Sequence, residues 1–239
     1  MAAKLTTTLT RPRLRGPRLQ GLFAAALLTM VSAPALAIKP FTADYQASYM
    51  GVVGTGRMTL AAEGNNRWKY SLAVTAPLAD VRQTTVFEEN GGQWRPLSGT
   101  DSTKVLGKGK TKNATYDWGR GVASWTGDVK PERAGPIKLQ SGDLDALLIN
   151  LAVVRDLAAG KPMSYRMVED GRVKQLNYTV AGKEQITVDG KPVQATKVMA
   201  SHGEKQTIAW IVDSMPVPAR ILQRDKGQDA IDLRVQSVR

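Results

Sequence analysis

Asp143 and Asp145 stand two residues apart in SGDLDALLINLAVVRDLAAGKP, residues 141–162, and two close carboxylates raise the question of general acid–base chemistry. Such a pair works only if both groups converge on one substrate. Residues two apart on a helix do not face each other. Ser141, Asp143 and Asp145 do lie where N-caps and first-turn acids belong, accepting from free backbone N–H groups and opposing the helix dipole. The spacing predicts capping rather than catalysis.

His202 is the only histidine, so any triad or imidazole metal site would need it. It sits in ASHGEK, a polar loop signal, and the chain has no Gly-x-Ser-x-Gly elbow. An exposed loop histidine is expected. A hydrolase using His202, or a carboxylate pair from distant strands such as Asp117 with Asp128, is the enzymatic alternative. With no cysteine, thiol catalysis, thiolate metal sites and iron–sulfur clusters are excluded. Neither a metal nor any other cofactor is implied.

KVLGKGKTKN offers Lys104, Lys108, Lys110 and Lys112 at even spacing, which on one extended strand would project four ammonium groups from one face. Such a comb suits an anionic head group or the phosphates and carboxylates of an envelope polymer. Lysines also protect a sheet edge from pairing with another sheet. Gly107 and Gly109 lack the helix and the Lys-Ser/Thr of a nucleotide loop. The five tryptophans are scattered and read as core or hairpin partners.

The elements that hold these residues are mostly strands. Phe41, Ala43, Tyr45, Ala47 and Tyr49 alternate with polar residues, and Trp68, Tyr70, Leu72 and Val74 share a face. Turns are expected at Gly64-Asn65-Asn66, Asn90-Gly91-Gly92, Gly119-Arg120-Gly121, Asp170-Gly171, Asp189-Gly190 and Lys226-Gly227, because these residues tolerate the positive φ of tight hairpins. One helix interrupts the series. Leu144, Leu147, Leu148 and Leu151 follow i, i+3, i+4, i+7, and Ile149, Val153, Val154 and Leu157 widen the apolar surface, so protein must cover it. Gly160 and Pro162 end it.

Residues 1–37 have the form of a cleavable export signal: Lys4, Arg11, Arg13, Arg15 and Arg18, an apolar run from Leu19 to Val31, then Ala35-Leu36-Ala37. The run is shorter than the about 20 apolar residues of a spanning helix. Cleavage after Ala37 is expected, giving a periplasmic protein that is not membrane-integral. The leader holds five of the 33 Lys+Arg and none of the 21 Asp+Glu, so a chain of net charge +12 becomes one of +7. That balance favours anionic neighbours, although nucleic acid is the wrong partner for an exported protein. Residues 38–239 are read as one β-rich domain.

AWIVDSMPVPARILQRDKGQDAIDLRVQ completes a pattern begun by FTADYQASYMG, GDLDALLINLAVVRDLAAGK and TVAGKEQITVDGKPVQATKV. In that order the motifs resemble the bacterial exported family catalogued as domain of unknown function 3108. Trp210, Asp213, Pro218 and Arg220 are also similar to a strand pair in lipoprotein-carrier-like half-barrels, where a curved antiparallel sheet wraps a helix and shelters acyl chains. The resemblance implies no catalytic residue. The expected fold is mainly β, a strongly curved antiparallel sheet, open or partly closed as a barrel, around one apolar helix. The expected role is non-catalytic binding or envelope maintenance, with an amphipathic ligand in the concavity and Lys104, Lys108, Lys110, Lys112, Trp210 and Arg220 as binding residues. The alternatives are an interaction protein for an envelope partner, its concavity plugged by the helix, and the hydrolase.

Overall fold

A computed structural model describes residues 38–239; the export signal expected at 1–37 lies outside the described residues. The first half is an antiparallel meander: β1 (Phe41–Tyr49), β2 (Val52–Gly64), β3 (Arg67–Ala76), β4 (Ala79–Asn90), β5 (Gln93–Val105), β6 (Lys108–Asp117), β7 (Val122–Gly127) and the two-residue β8 (Ile137–Lys138). Helix α1 (Ala146–Ala158) and a hairpin of β9 (Ser164–Glu169) and β10 (Arg172–Asn177) follow. A second meander runs through β11 (Thr179–Val188), β12 (Lys191–His202), β13 (Lys205–Ile211), β14 (Arg220–Asp225) and β15 (Gln228–Val238).

The two meanders are joined side by side. Strand β1 pairs with β2 on one edge and with β15 on the other, giving a 13-stranded sheet in the order β11-β12-β13-β14-β15-β1-β2-β3-β4-β5-β6-β7-β8. Its end strands β11 and β8 do not pair, so the sheet stays open. The six turns expected from Asn, Asp, Gly and Lys-Gly signals all fall between consecutive strands.

Inward residues of the central strands form the core. On β1 the alternation buries Phe41, Ala43, Tyr45 and Ala47, and the Tyr45 hydroxyl donates to the Pro218 carbonyl at 2.9 Å. Met58, Leu60, Tyr70 and Phe87 continue this face. Helix α1 packs against it with Leu147, Leu148, Ile149, Leu151 and Val153 all buried. Each large aliphatic side chain buried in this way contributes about 1.5–3 kcal/mol, so the docked helix is a substantial part of the inner layer. Even Asp156 is buried, accepting from Arg155 at 2.7 and 3.0 Å and from the Tyr165 hydroxyl at 2.9 Å.

The β9–β10 hairpin lies over the same concave side, locked at its tip. Asp170 accepts from Lys112 at 2.9 Å, Arg133 at 3.2 Å and Arg172 at 3.1 Å. Gly171 has φ +64°, and a Cβ there would stand 2.1 Å from the Arg133 carbonyl oxygen. Only glycine permits that approach.

Candidate functional site

The helix does not fill the concavity. An open cavity of about 600 Å³ remains beside it, within the usual range of ligand pockets, about 300–1,000 Å³. Its floor includes Leu72, Val74 and Val81 from β3 and β4, and Ile221, Ile231 and Leu233 from β14 and β15. Its roof is Leu147 and Ile149 of α1 with Met167, Leu176 and Tyr178 from the hairpin region. Thr103 on β5 and Ala200 on β12 both line it although eight strand spacings separate these strands. On a flat sheet that is roughly 38 Å at about 4.8 Å per strand, so the sheet curls strongly around the cavity.

The mouth is polar on one side and apolar on the other. His202, Lys205, Arg224 and Asp225 come from β12 to β14, with Lys205 and Asp225 3.6 Å apart. Tyr49, Ala76, Ala79 and Val105 face them from β1, β3, β4 and β5. Half-buried Lys174 of β10 adds a cation to the lining.

Glu169 and Leu147 also line a second chamber of about 20 Å³, room for about one water. Asp101, Lys112, Tyr116, Thr85 and Asp145 complete its polar wall. Burial, reinforced by neighbouring Asp145 and Asp101, pushes the Glu169 carboxyl up to about 8, with Lys112 and the Ala146 amide pulling the other way. Burial likewise raises Asp145 to about 6 against hydrogen bonds from Thr85 and the Leu148 amide. Asp101 is raised by burial too. Burial thus raises all three carboxyls of this chamber above their ordinary values, Glu169 further than Asp145.

Of the two aspartates that open the helix, Asp145 is the N-cap, accepting from the Leu148 amide at 2.7 Å and the Thr85 hydroxyl at 2.5 Å. Asp143 does not cap. It is fully buried, accepts from the Gln140 amide at 2.8 Å and pairs with Arg166 of β9. Asp117 holds the Arg120 amide and Asp128 the Thr111 amide, at opposite ends of the β6–β7 ladder, so they do not converge. His202 is exposed at the mouth.

The four lysines do not form one comb. Leu106 and Gly107 make a tight turn, so Lys104 pairs with Gly109, while Lys108, Lys110 and Lys112 pair with Val105, Thr103 and Asp101. Directly opposed residues share a face, and Val105, Thr103 and Asp101 line the two cavities. Lys108, Lys110 and Lys112 accordingly project on the concave side and Lys104 on the convex side. Trp210 and Arg220 face each other across β13 and β14 on the convex side, with the guanidinium 4.5 Å from the ring centre and bonded twice to Asp232 at 2.9 Å.

Sequence reasoning passed over Glu169 and Asp101. Glu169 was within reach: it follows Tyr165 and Met167 at a period of two, which places a carboxylate on an apolar face.

Residues 41–234 match the family model described as "Protein of unknown function (DUF3108)". The chain belongs to this family. Among curated proteins nothing matches. The crystal structure of a beta-barrel-like protein of domain of unknown function DUF1849 from Brucella abortus is similar in fold, with a TM-score of 0.53 and 13% identity, covering 84% of this chain and 97% of that one. The MucA/MucB complex of Pseudomonas aeruginosa gives a TM-score of 0.38 at 12% identity over 84% of this chain, and a crystal structure of MucB gives 0.36 at 12% over 86%. This chain spans about half of those two, 51% and 54%. Among the described residues no helix is long and apolar enough to cross a membrane.

Proposed function

We propose that this DUF3108 protein is a non-catalytic binding protein of the periplasm whose concavity shelters an amphipathic, lipid-like ligand. The observation that carries this reading is the open cavity of about 600 Å³ with an apolar floor and roof and a polar mouth. An apolar chain lies against Leu72, Val74, Ile149 and Leu176, where burial from water supplies the affinity. An anionic head group meets Lys108 and Lys110 on the concave face of β6, while Lys112 is committed to Asp170 at 2.9 Å. The hydrolase reading draws no support from Asp117 and Asp128, which are held apart.

The test is native mass spectrometry of protein purified from the periplasm, with lipid extraction of whatever co-purifies, alongside titration with a fluorescent fatty acid. Val74→Trp, which places an indole in the cavity, should abolish probe binding while thermal unfolding stays cooperative. A folded Val74→Trp protein that binds the probe as wild type does would exclude this cavity as the binding site.

A further inference from the structure

Nine large hydrophobic residues stand exposed among those described, and seven of them, Tyr49, Met50, Val52, Val53, Leu78, Val105 and Leu106, belong to three hairpin tips. These tips join β1 to β2, β3 to β4 and β5 to β6. In an antiparallel meander alternate turns lie at the same end of the sheet, so all three stand together on one edge. The Leu106 amide donates to the Leu78 carbonyl at 2.9 Å, tying two of the tips directly. That edge is the apolar side of the cavity mouth, where Tyr49 and Val105 are lining residues.

Two of these residues sit where large side chains are poorly tolerated. Met50 has φ 47° and Leu106 has φ 50°. Elsewhere among the described residues the non-glycine positions with positive φ are Asn65, Asn66, Asp170, Asp189 and Lys226. Asn and Asp adopt this conformation readily; bulky aliphatic residues do not. The chain therefore accepts backbone strain at these two turns to hold thioether and isobutyl groups in water, a combination that stability alone disfavours at both levels. Exposed Lys104, Lys108 and Lys110 flank the third tip.

From these observations we infer that the three tips form a docking edge for an anionic lipid bilayer. Met50, Leu78 and Leu106 enter the interfacial layer, Tyr49 sits at head-group level, and the three lysines meet lipid phosphates. The cavity mouth then faces the bilayer directly. Docking stands on the tips and their charges and does not require the cavity to hold a ligand.

The experiment is co-sedimentation of the protein with phosphatidylglycerol/phosphatidylcholine vesicles and with phosphatidylcholine vesicles alone. Wild type should bind the anionic vesicles, and the triple variant Met50→Asn, Leu78→Gln, Leu106→Asn should bind at least tenfold more weakly. Its thermal midpoint should be equal or higher, because Asn relieves the left-handed turn positions. Titration with a fluorescent fatty acid in the absence of vesicles separates the two readings, since the triple variant should keep wild-type probe affinity. Equal vesicle binding by the two proteins would overturn the docking edge. So would a wild type that ignores vesicles but self-associates through the tips and becomes monomeric in the variant, which would assign the edge to a second copy of the chain.

Discussion

Glu169 holds its proton into the neutral range, with a stability consequence whose sign follows from linkage. A carboxyl raised from its ordinary value to about 8 binds a proton more tightly when folded. Its contribution to stability is complete below the unfolded value near pH 4.3 and is lost as pH rises through about 8. Asp145, raised to about 6, acts in the lower part of the same window. The thermal midpoint of wild type should fall between pH 5 and pH 9, and Glu169→Gln should flatten most of that fall above pH 6. A wild-type midpoint constant across this range would contradict the burial of these carboxyls. Asp143 is fully buried and pairs through one carboxyl oxygen with Arg166. Removing it in Asp143→Ala strands the guanidinium and should cost about 3 kcal/mol in chemical denaturation. Asp145→Asn keeps a capping oxygen and removes a charge that burial disfavours, so it should cost less than about 1 kcal/mol. The sequence marked both residues as caps because spacing shows where an acid stands relative to a helix; the long-range partner Arg166, 23 residues away, is invisible to it.

At the scale of elements, α1 and the β9–β10 hairpin form the roof of the cavity and fail differently. Leu148 is fully buried, so Leu148→Asp sets an unpaired charge in the core at a cost of several kcal/mol against a total of about 5–15 kcal/mol. Circular dichroism should show that this variant does not fold. Gly171→Ala meets the Arg133 carbonyl instead, and the hairpin tip must lift. Hydrogen exchange should then accelerate at the amides of residues 164–177 while the central strands stay protected; unchanged protection of the hairpin would show that its tip is not a lock. The helix and most hairpins were legible because hydrophobic period and Gly-containing turns are local signals. The Leu106-Gly107 turn was not, since its first residue resists the conformation it adopts, and KVLGKGKTKN reads as one strand until the chain reverses. That one turn moves Lys104 to the other face of the sheet.

For the whole molecule, the openness of the curled sheet decides what it can hold. Alternation and turns predict a curved antiparallel sheet around a helix, but whether the helix plugs it depends on summed side-chain volumes across many strands, which no window of sequence reports. If Lys108 and Lys110 receive an anionic head group, Lys108→Gln with Lys110→Gln should weaken binding of the fluorescent fatty acid several-fold in 0.1 M salt, where screening acts over about 10 Å, and much less in 1 M salt, where it acts over about 3 Å. An affinity indifferent to both changes would leave apolar contact alone to hold the ligand. Export is a separate expectation: N-terminal sequencing of protein recovered from the periplasm should begin at Ile38.

The pairing of β1 with β15 gives the assembly of this sheet an order in time. Ala43 lies opposite Val238, the Thr42 amide donates to the Arg239 carbonyl at 2.8 Å, and Arg239 reaches Asp44 at 2.5 Å. A chain delivered from its N-terminus forms β1 among the first strands, yet one edge of β1 stays unsatisfied until the last strand arrives almost two hundred residues later. During that interval the protein exposes a strand rich in Tyr, Phe and Ala to any other extended chain nearby. Truncations that remove β15 should therefore be lost to aggregation rather than to simple unfolding. A circular permutant that links Arg239 to Ile38 through a short flexible tether and opens the chain near Gly142 would make the same pairing local, and should refold faster than the natural order of strands.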